Sequence, residues 1–170
     1  MRVKTYWLFG ISGAGKTTIA QAWVQQWKSL GEPVVLLDEE ALKIGLNSDL
    51  NAAAILKEEP TRRIAELAKL LNQRGITVIV SAITPLNAQR QLASQIVGPK
   101  LYTPIWIDSP VQICQRRDPK GLYVKALSNR LKFFPGVNAP FENPDTSLIK
   151  VSTDQFSVSQ CVELIFKSIK

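Results

Sequence analysis

The chain has 170 residues, 45 % of them hydrophobic, and 21 basic against 14 acidic residues for a net charge of +7; this fits one globular domain with a sizeable core and excludes a disordered or fibrous chain. It contains no histidine, which removes imidazole base chemistry and the commonest metal ligand, and no apolar run of the roughly 18 to 20 residues needed to cross a bilayer. Its two cysteines, Cys114 and Cys161, lack the C-x-x-C spacing of a zinc or redox site, so they are expected to be small buried apolar residues of a cytoplasmic protein, and Met1-Arg2-Val3-Lys4 leads straight into a strand with no signal peptide expected.

Val3 to Phe9 is an apolar, β-rich run and reads as the first strand. Gly10-Ile11-Ser12-Gly13-Ala14-Gly15-Lys16-Thr17 follows and satisfies the phosphate-binding pattern G-x-x-x-x-G-K-[ST] at every fixed position. Its glycines let backbone N–H groups curl round an anion, its lysine reaches the outer phosphates, and its threonine hydroxyl suits Mg²⁺. Thr17 to Leu30 reads as a helix with Ile19, Trp23, Trp27 and Leu30 on one stripe. A strand, a glycine turn and a helix N-terminus together form an anion site.

Gly31-Glu32-Pro33 breaks the chain, and Val34 to Leu37 reads as a buried strand ending on Asp38. Asp38 and Glu40 lie two apart and share a face if the chain is extended there. They suit the carboxylates that phosphoryl transfer needs; they suit a solvated acidic turn or a helix N-terminus equally well. A polar, Ala-rich stretch runs to about Lys57. Thr61 to Gln73 is expected to be helical, with Ile64, Leu67, Ala68 and Leu71 inward and Gly75 as the stop. Ile76 to Ile83 is a continuous apolar strand of the kind buried on both faces. Thr84-Pro85 then predicts an N-cap followed by proline at the first helical position.

Leu101 to Ile107 reads as a strand that Pro104 demotes towards an edge or a bulge. A short helix follows from Asp108-Ser109-Pro110 to about Arg116. Residues 117 to 145 carry four of the ten prolines, two glycines and several cations, the make-up of a lid or binding loop. Ser147 to Val151 reads as a last strand, and Ser157 with Gln160 caps a final helix with Val158, Cys161, Ile165 and Ile169 inward. The fold expected is α/β: a three-layer P-loop NTPase-type domain over residues 1–170, with a mostly parallel sheet of about five strands and a lid. Ligands in such sheets bind at the carboxyl ends of the strands, where the phosphate loop, Asp38, Thr84 and Asp108 all fall. Arg62-Arg63, Arg116-Arg117 and Arg130 to Lys132 gather charge without a long basic run. A nucleotide-phosphate substrate explains this as well as a nucleic acid does, and a small phosphorylated substrate, with no nucleic acid and no membrane, is the expectation.

Arg117-Asp118-Pro119-Lys120-Gly121-Leu122-Tyr123 resembles the R-D-P-K-G-L-Y signature of adenylylsulfate kinases. The phosphate loop with Thr18, Gly45-Leu46-Asn47-x-Asp49-Leu50, Phe134-x-Gly136 and Ala139-Pro140-Phe141-Glu142-x-Pro144 resemble further motifs of that family, in its order and across nearly the whole chain. The resemblance implies transfer of the γ-phosphate of ATP to the 3′-hydroxyl of adenylyl sulfate, with ATP and Mg²⁺ as cofactors; a homodimer is among the assemblies it admits. It implies catalytic roles for Lys16, Asp38, Glu40 and Thr84, and ATP contacts from residues 10–18 and from Arg117, with Thr17 on the metal. It implies acceptor contacts from Lys43, Asn47, Lys57, Ile83, Arg90, Lys120 and Phe134.

Departures from the family pattern concentrate on the acceptor side. The family's D-G-D-N-x-R reads Asp38-Glu39-Glu40-Ala41-Leu42-Lys43 here, so an arginine becomes a lysine and loses bidentate geometry. The family phenylalanine that stacks on the acceptor's adenine opposite Phe134 falls on Ala52, its arginine on Lys57 and an asparagine on Pro60. Its I-S-P becomes Ile83-Thr84-Pro85; direct in-line transfer is expected, with Thr84 as helix cap.

Overall fold

The structure is a computed structural model and describes residues 3–118, 120–144 and 148–169. Five strands, β1 (Thr5–Phe9), β2 (Val34–Asp38), β3 (Thr77–Ala82), β4 (Tyr102–Asp108) and β5 (Ile149–Ser152), form one sheet in the order β2-β3-β1-β4-β5. Every pairing is parallel. Alternation along β1 sends Tyr6 and Leu8 to one face and Trp7 and Phe9 to the other, and all four are buried. The first face is covered by α1 (Lys16–Ser29) and α7 (Val158–Ser168), where Trp23, Trp27, Cys161 and Ile165 join the core. The second is covered by α3 (Glu59–Gln73) and α4 (Asn87–Val97) through Ile64, Ala68, Ala93 and Val97. The helix-sheet-helix sandwich is what strands alternating with amphipathic helices require.

Several expectations need correction. Leu30 lies past the end of α1 and is 55 % exposed, so the stripe ends at Trp27. Val158 opens α7 half-exposed; Phe166 packs on Trp23 and Trp27 in its stead. β2 is one edge of the sheet, and only Leu37 within it is buried. β4 is an interior strand despite Pro104. Because β5 pairs only from Ile105 onward, β4 has a single neighbour at Pro104, and the missing N–H is tolerated there. Asp38 and Glu40 do not share an extended face, since α2 (Glu39–Leu42) starts between them. Thr84 does not cap a helix: α4 starts at Asn87, and the Gln89 side chain accepts from Leu86 N–H at 3.2 Å. Thr84 sits instead at φ +41° with its Oγ1 accepting from Trp7 Nε1–H at 2.9 Å. The lid segment is not irregular throughout, because α5 (Val111–Arg117) and α6 (Leu122–Leu127) flank its start. Ser147, expected to open β5, lies outside the described residues.

Candidate active site

The phosphate loop leaves the carboxyl end of β1 at the middle of the sheet. Gly10 and Gly13 are required there: a Cβ on Gly10 would run into the Ile107 carbonyl of β4, and one on Gly13 would meet Cys114 of α5 at about 3.1 Å. Four successive loop carbonyls are each taken by a side chain. Lys16 Nζ donates to Ile11 O at 2.9 Å and Tyr123 Oη–H to Ser12 O at 2.7 Å. Arg117 Nη1 donates to Gly13 O at 3.3 Å, and Thr153 Oγ1–H to Ala14 O at 2.8 Å. Arg117 also grips Thr153 twice, through Oγ1 at 2.9 Å and the carbonyl at 2.7 Å. α5, α6 and the end of β5 thereby fix the loop's peptide planes from outside, and the preorganised amides lie at the N-terminus of α1, where an anion is favoured.

The loop forms one wall of a cleft of about 550 Å³ that also includes Thr17, Thr18, Asp38, Ser81, Thr153 and Phe156. Thr17 Oγ1 and Ser81 Oγ are 3.1 Å apart within it. Lys16 is buried, and burial lowers its ammonium to a pKa of about 8; Glu39 is the strongest opposing influence, followed by Cys114 and the neighbouring acids.

A second cleft of about 390 Å³ opens beside the first. Lys43, Asn47, Ala52, Pro60, Phe133 and Phe134 are among the residues on its wall. The two clefts share Ser12, Glu39, Glu40, Ile83, Lys120 and Leu122, so they meet along this seam. α2 supplies the acids there. Asp38 caps the helix, its Oδ1 accepting from Glu40 N–H at 2.9 Å. Glu39 is buried and accepts from Ile83 N–H at 2.7 Å. Glu40 receives Lys43 at 2.9 Å and Lys120, reaching across from the lid, at 2.7 Å. Burial alone would raise the Glu40 carboxyl, but the two lysine hydrogen bonds outweigh it and hold the carboxyl at about 2. Lys43 is held above its ordinary value because Glu39 and Glu40 together outweigh its own burial.

Most residues expected from the sequence therefore converge. Residues 12, 13 and 15–18 with Asp38 and Arg117 line the first cleft; Lys43, Asn47 and Phe134 line the second; Glu40, Ile83 and Lys120 line both. Gly10, Ile11 and Ala14 shape the loop from within. Three expected residues lie elsewhere. Lys57 is exposed, and its carbonyl accepts from Gln89. Arg90 is buried, donating to the Thr84 and Glu142 carbonyls at 2.7 Å and stacked 4.7 Å over the Phe9 ring. Thr84 is spent on Trp7. Ser81 and Thr153 escaped the sequence reading, and Glu39 and Tyr123 entered it only as members of their motifs, with no role of their own. Only Ser81 left a local signal, as a polar break in the apolar run of β3.

A family model described as adenylylsulphate kinase matches residues 2–152. The chain belongs to the adenylylsulphate kinase family. An adenylyl-sulfate kinase of Synechococcus sp. (strain JA-3-3Ab) is 36 % identical over 166 residues, covering 98 % of this chain and 93 % of the relative. An adenylyl-sulfate kinase of Clostridium acetobutylicum is 37 % identical over 164 residues, covering 96 % of this chain and 82 % of the relative. The APS kinase CysC of Mycobacterium tuberculosis, solved in complex with AMPPNP and APS, superposes with a TM-score of 0.93 at 32 % identity, covering 99 % of this chain and 98 % of that one. The positions expected from the sequence to depart from the family pattern at Lys43, Ala52 and Pro60 lie together on the wall of the second cleft.

Proposed function

We propose that this enzyme is an adenylylsulfate kinase, with ATP in the loop-lined cleft and adenylyl sulfate in the second. The observation that carries the reading is the seam: two clefts, one walled by the phosphate loop, meet along Glu39, Glu40, Lys120 and Ile83. The nucleotide phosphates lie on the loop amides and Lys16. Hard oxygen donors suit Mg²⁺, and Thr17 Oγ1, paired with Ser81 Oγ in a cleft that includes Asp38, is the hydroxyl that would hold it; the ion would neutralise charge between the outer phosphates.

In the transfer, the acceptor's 3′-oxygen bonds to the γ-phosphorus as the bond to the ADP oxygen breaks. Glu40, at a pKa of about 2, is a poor base, and it orients Lys43 and Lys120 towards the developing charge. Asp38 is the carboxylate assigned to the hydroxyl proton. The test is incubation with Mg-ATP and adenylyl sulfate, with mass detection of 3′-phosphoadenylyl sulfate and ADP. Lys16→Ala is expected to abolish the product, and normal turnover by that variant would remove the loop from the mechanism. Ala52 and Pro60 on the acceptor wall favour one rival, a kinase for a different small alcohol. Normal catalytic efficiency with adenylyl sulfate would dispose of it.

A further inference from the structure

The part of the second cleft that the first does not share has a wall with little of its own to hold it. Asn51, Ala52, Ala54 and Ile55 line the cleft there, on the short 3-10 turn Ala52–Leu56 and its start. From 51 to 58 only the Ala54 side chain is buried, so apolar packing anchors this stretch weakly. Its main chain is gripped from outside instead. Gln89, in the first turn of α4 and 2 % exposed, donates from Nε2 to the Ile55 carbonyl at 2.8 Å and to the Lys57 carbonyl at 2.7 Å. Its Oε1 accepts from Leu86 N–H at 3.2 Å. A primary amide offers two N–H donors and an acceptor in one plane, and all three are used here; turned over, it would set its oxygen against two carbonyls. The stretch before this wall is secured separately, by Arg63 on the Leu46 carbonyl and the Asp49 carboxylate. Gln89 itself lines neither cleft.

We propose that Gln89 is a positioning residue for the acceptor: its side-chain amide ties the wall at 51–55 to the turn between β3 and α4 and so fixes that wall relative to the seam. The proposal rests on reading the second cleft as the acceptor site. Ile83 of that turn lies on the seam, so the clasp joins the place of transfer to the wall that receives the rest of the acceptor. Acceptor affinity falls in proportion to the fraction of molecules in which the wall is in place. No residue from 51 to 57 lines the donor cleft, so the effect belongs to the acceptor alone.

The test compares wild type, Gln89→Met, which keeps length and volume but loses both donors, and Gln89→Glu, which turns a carboxylate on the two carbonyls. Thr5→Val is the control: it removes a buried hydrogen bond, to Asn72 at 2.6 Å, from residues that line neither cleft. Wild-type turnover of adenylyl sulfate with Mg-ATP establishes the underlying reading first; its absence would overturn that reading, whereas hydrogen exchange tests the clasp by itself. Given turnover, Gln89→Met is expected to raise KM for adenylyl sulfate roughly 5- to 30-fold, the worth of two lost hydrogen bonds. Gln89→Glu should raise it at least as far. KM for ATP should stay within about twofold in both, and Thr5→Val should leave both constants within about twofold. Exchange at Ala54 and Lys57, whose N–H groups are bonded within the segment, should quicken in Gln89→Met. In wild type, adenylyl sulfate should slow exchange at these two amides and Mg-ADP should not, a reading that needs no variant to fold. An unchanged acceptor KM in Gln89→Met, an equal loss for both substrates, a loss no greater than that of Thr5→Val, unchanged exchange in Gln89→Met, or no protection of the two amides by adenylyl sulfate would each overturn the assignment.

Discussion

Lys16 shows how one residue's surroundings set a measurable property. It is buried, it donates to a loop carbonyl, and its ammonium titrates near 8 in place of its ordinary value of 10.5. The protonated form is the one that holds phosphate. The kcat/KM for ATP reports the free enzyme's ionisations and is therefore expected to fall as pH rises through about 8, whereas a lysine at its ordinary value would sustain it well above that. A profile flat to about pH 10 would mean that Lys16 is less buried than the loop geometry requires. Glu40, held at about 2, adds no acid limb in the neutral range. At this scale the sequence is informative about groups whose partners are close in the chain. Lys16 and Thr17 are legible because one contiguous motif carries both the residues and their geometry. Glu39, Tyr123 and Thr153 are not, because their hydrogen-bond partners lie 44, 111 and 139 residues away. Those pairings exist only once the sheet order has been set.

Elements divide by length. α1, α3 and α7 run 11 to 15 residues, long enough for an apolar stripe to repeat, and they were readable from periodicity. α2 and α6, with 4 and 6 residues, complete at most about two turns and leave no period to read. What holds α6 is local: Asp118 Oδ1 accepts from Leu122 N–H at 2.8 Å, and Oδ2 from Tyr123 N–H at 3.0 Å and Val124 N–H at 3.3 Å. Loss of such a cap costs about 0.5 to 2 kcal/mol. Asp118→Ala is therefore expected to speed hydrogen exchange at residues 122–124 by roughly 2- to 30-fold. The KM for ATP should rise as well, since α6 carries the Tyr123 hydroxyl to Ser12. Unchanged exchange would show that packing of Tyr123 alone holds the helix. The turn after β3 gives a second case, where a hydroxyl expected at a helix start supports the sheet instead. Thr84→Val strands the buried Trp7 indole N–H and is expected to cost about 1 to 3 kcal/mol in urea denaturation. Thr84→Ser should retain most of the stability, while equal stability of Thr84→Val and wild type would show that the Trp7 bond carries none.

On the scale of the whole molecule, the donor cleft joins chain ends to chain middle. Its wall is assembled from the loop and α1, from the β2–α2 junction, from α5 and α6, and from the segment between β5 and α7. Arg117 and Thr153 lock the last two groups to the loop. The alternation of strands and helices made this layered fold readable, because parallel strands need crossovers and crossovers need amphipathic helices. The closeness of residues 14 and 153 followed from sheet order alone, which no local pattern encodes. A ligand that touches every one of these segments should stabilise the domain as a unit. Binding to the folded state alone adds about 2.7 kcal/mol at a hundredfold excess over Kd, and for a chain of this size each kcal/mol moves the midpoint by about 2 to 4 °C. A non-hydrolysable ATP analogue with Mg²⁺ is therefore expected to raise the melting temperature by roughly 5 to 10 °C in a single transition. Lys16→Ala should remove most of that rise. A shift confined to part of a biphasic melt would show that the segment between β5 and α7 unfolds independently of the loop it is bonded to, and that the Arg117–Thr153 contacts do not couple them.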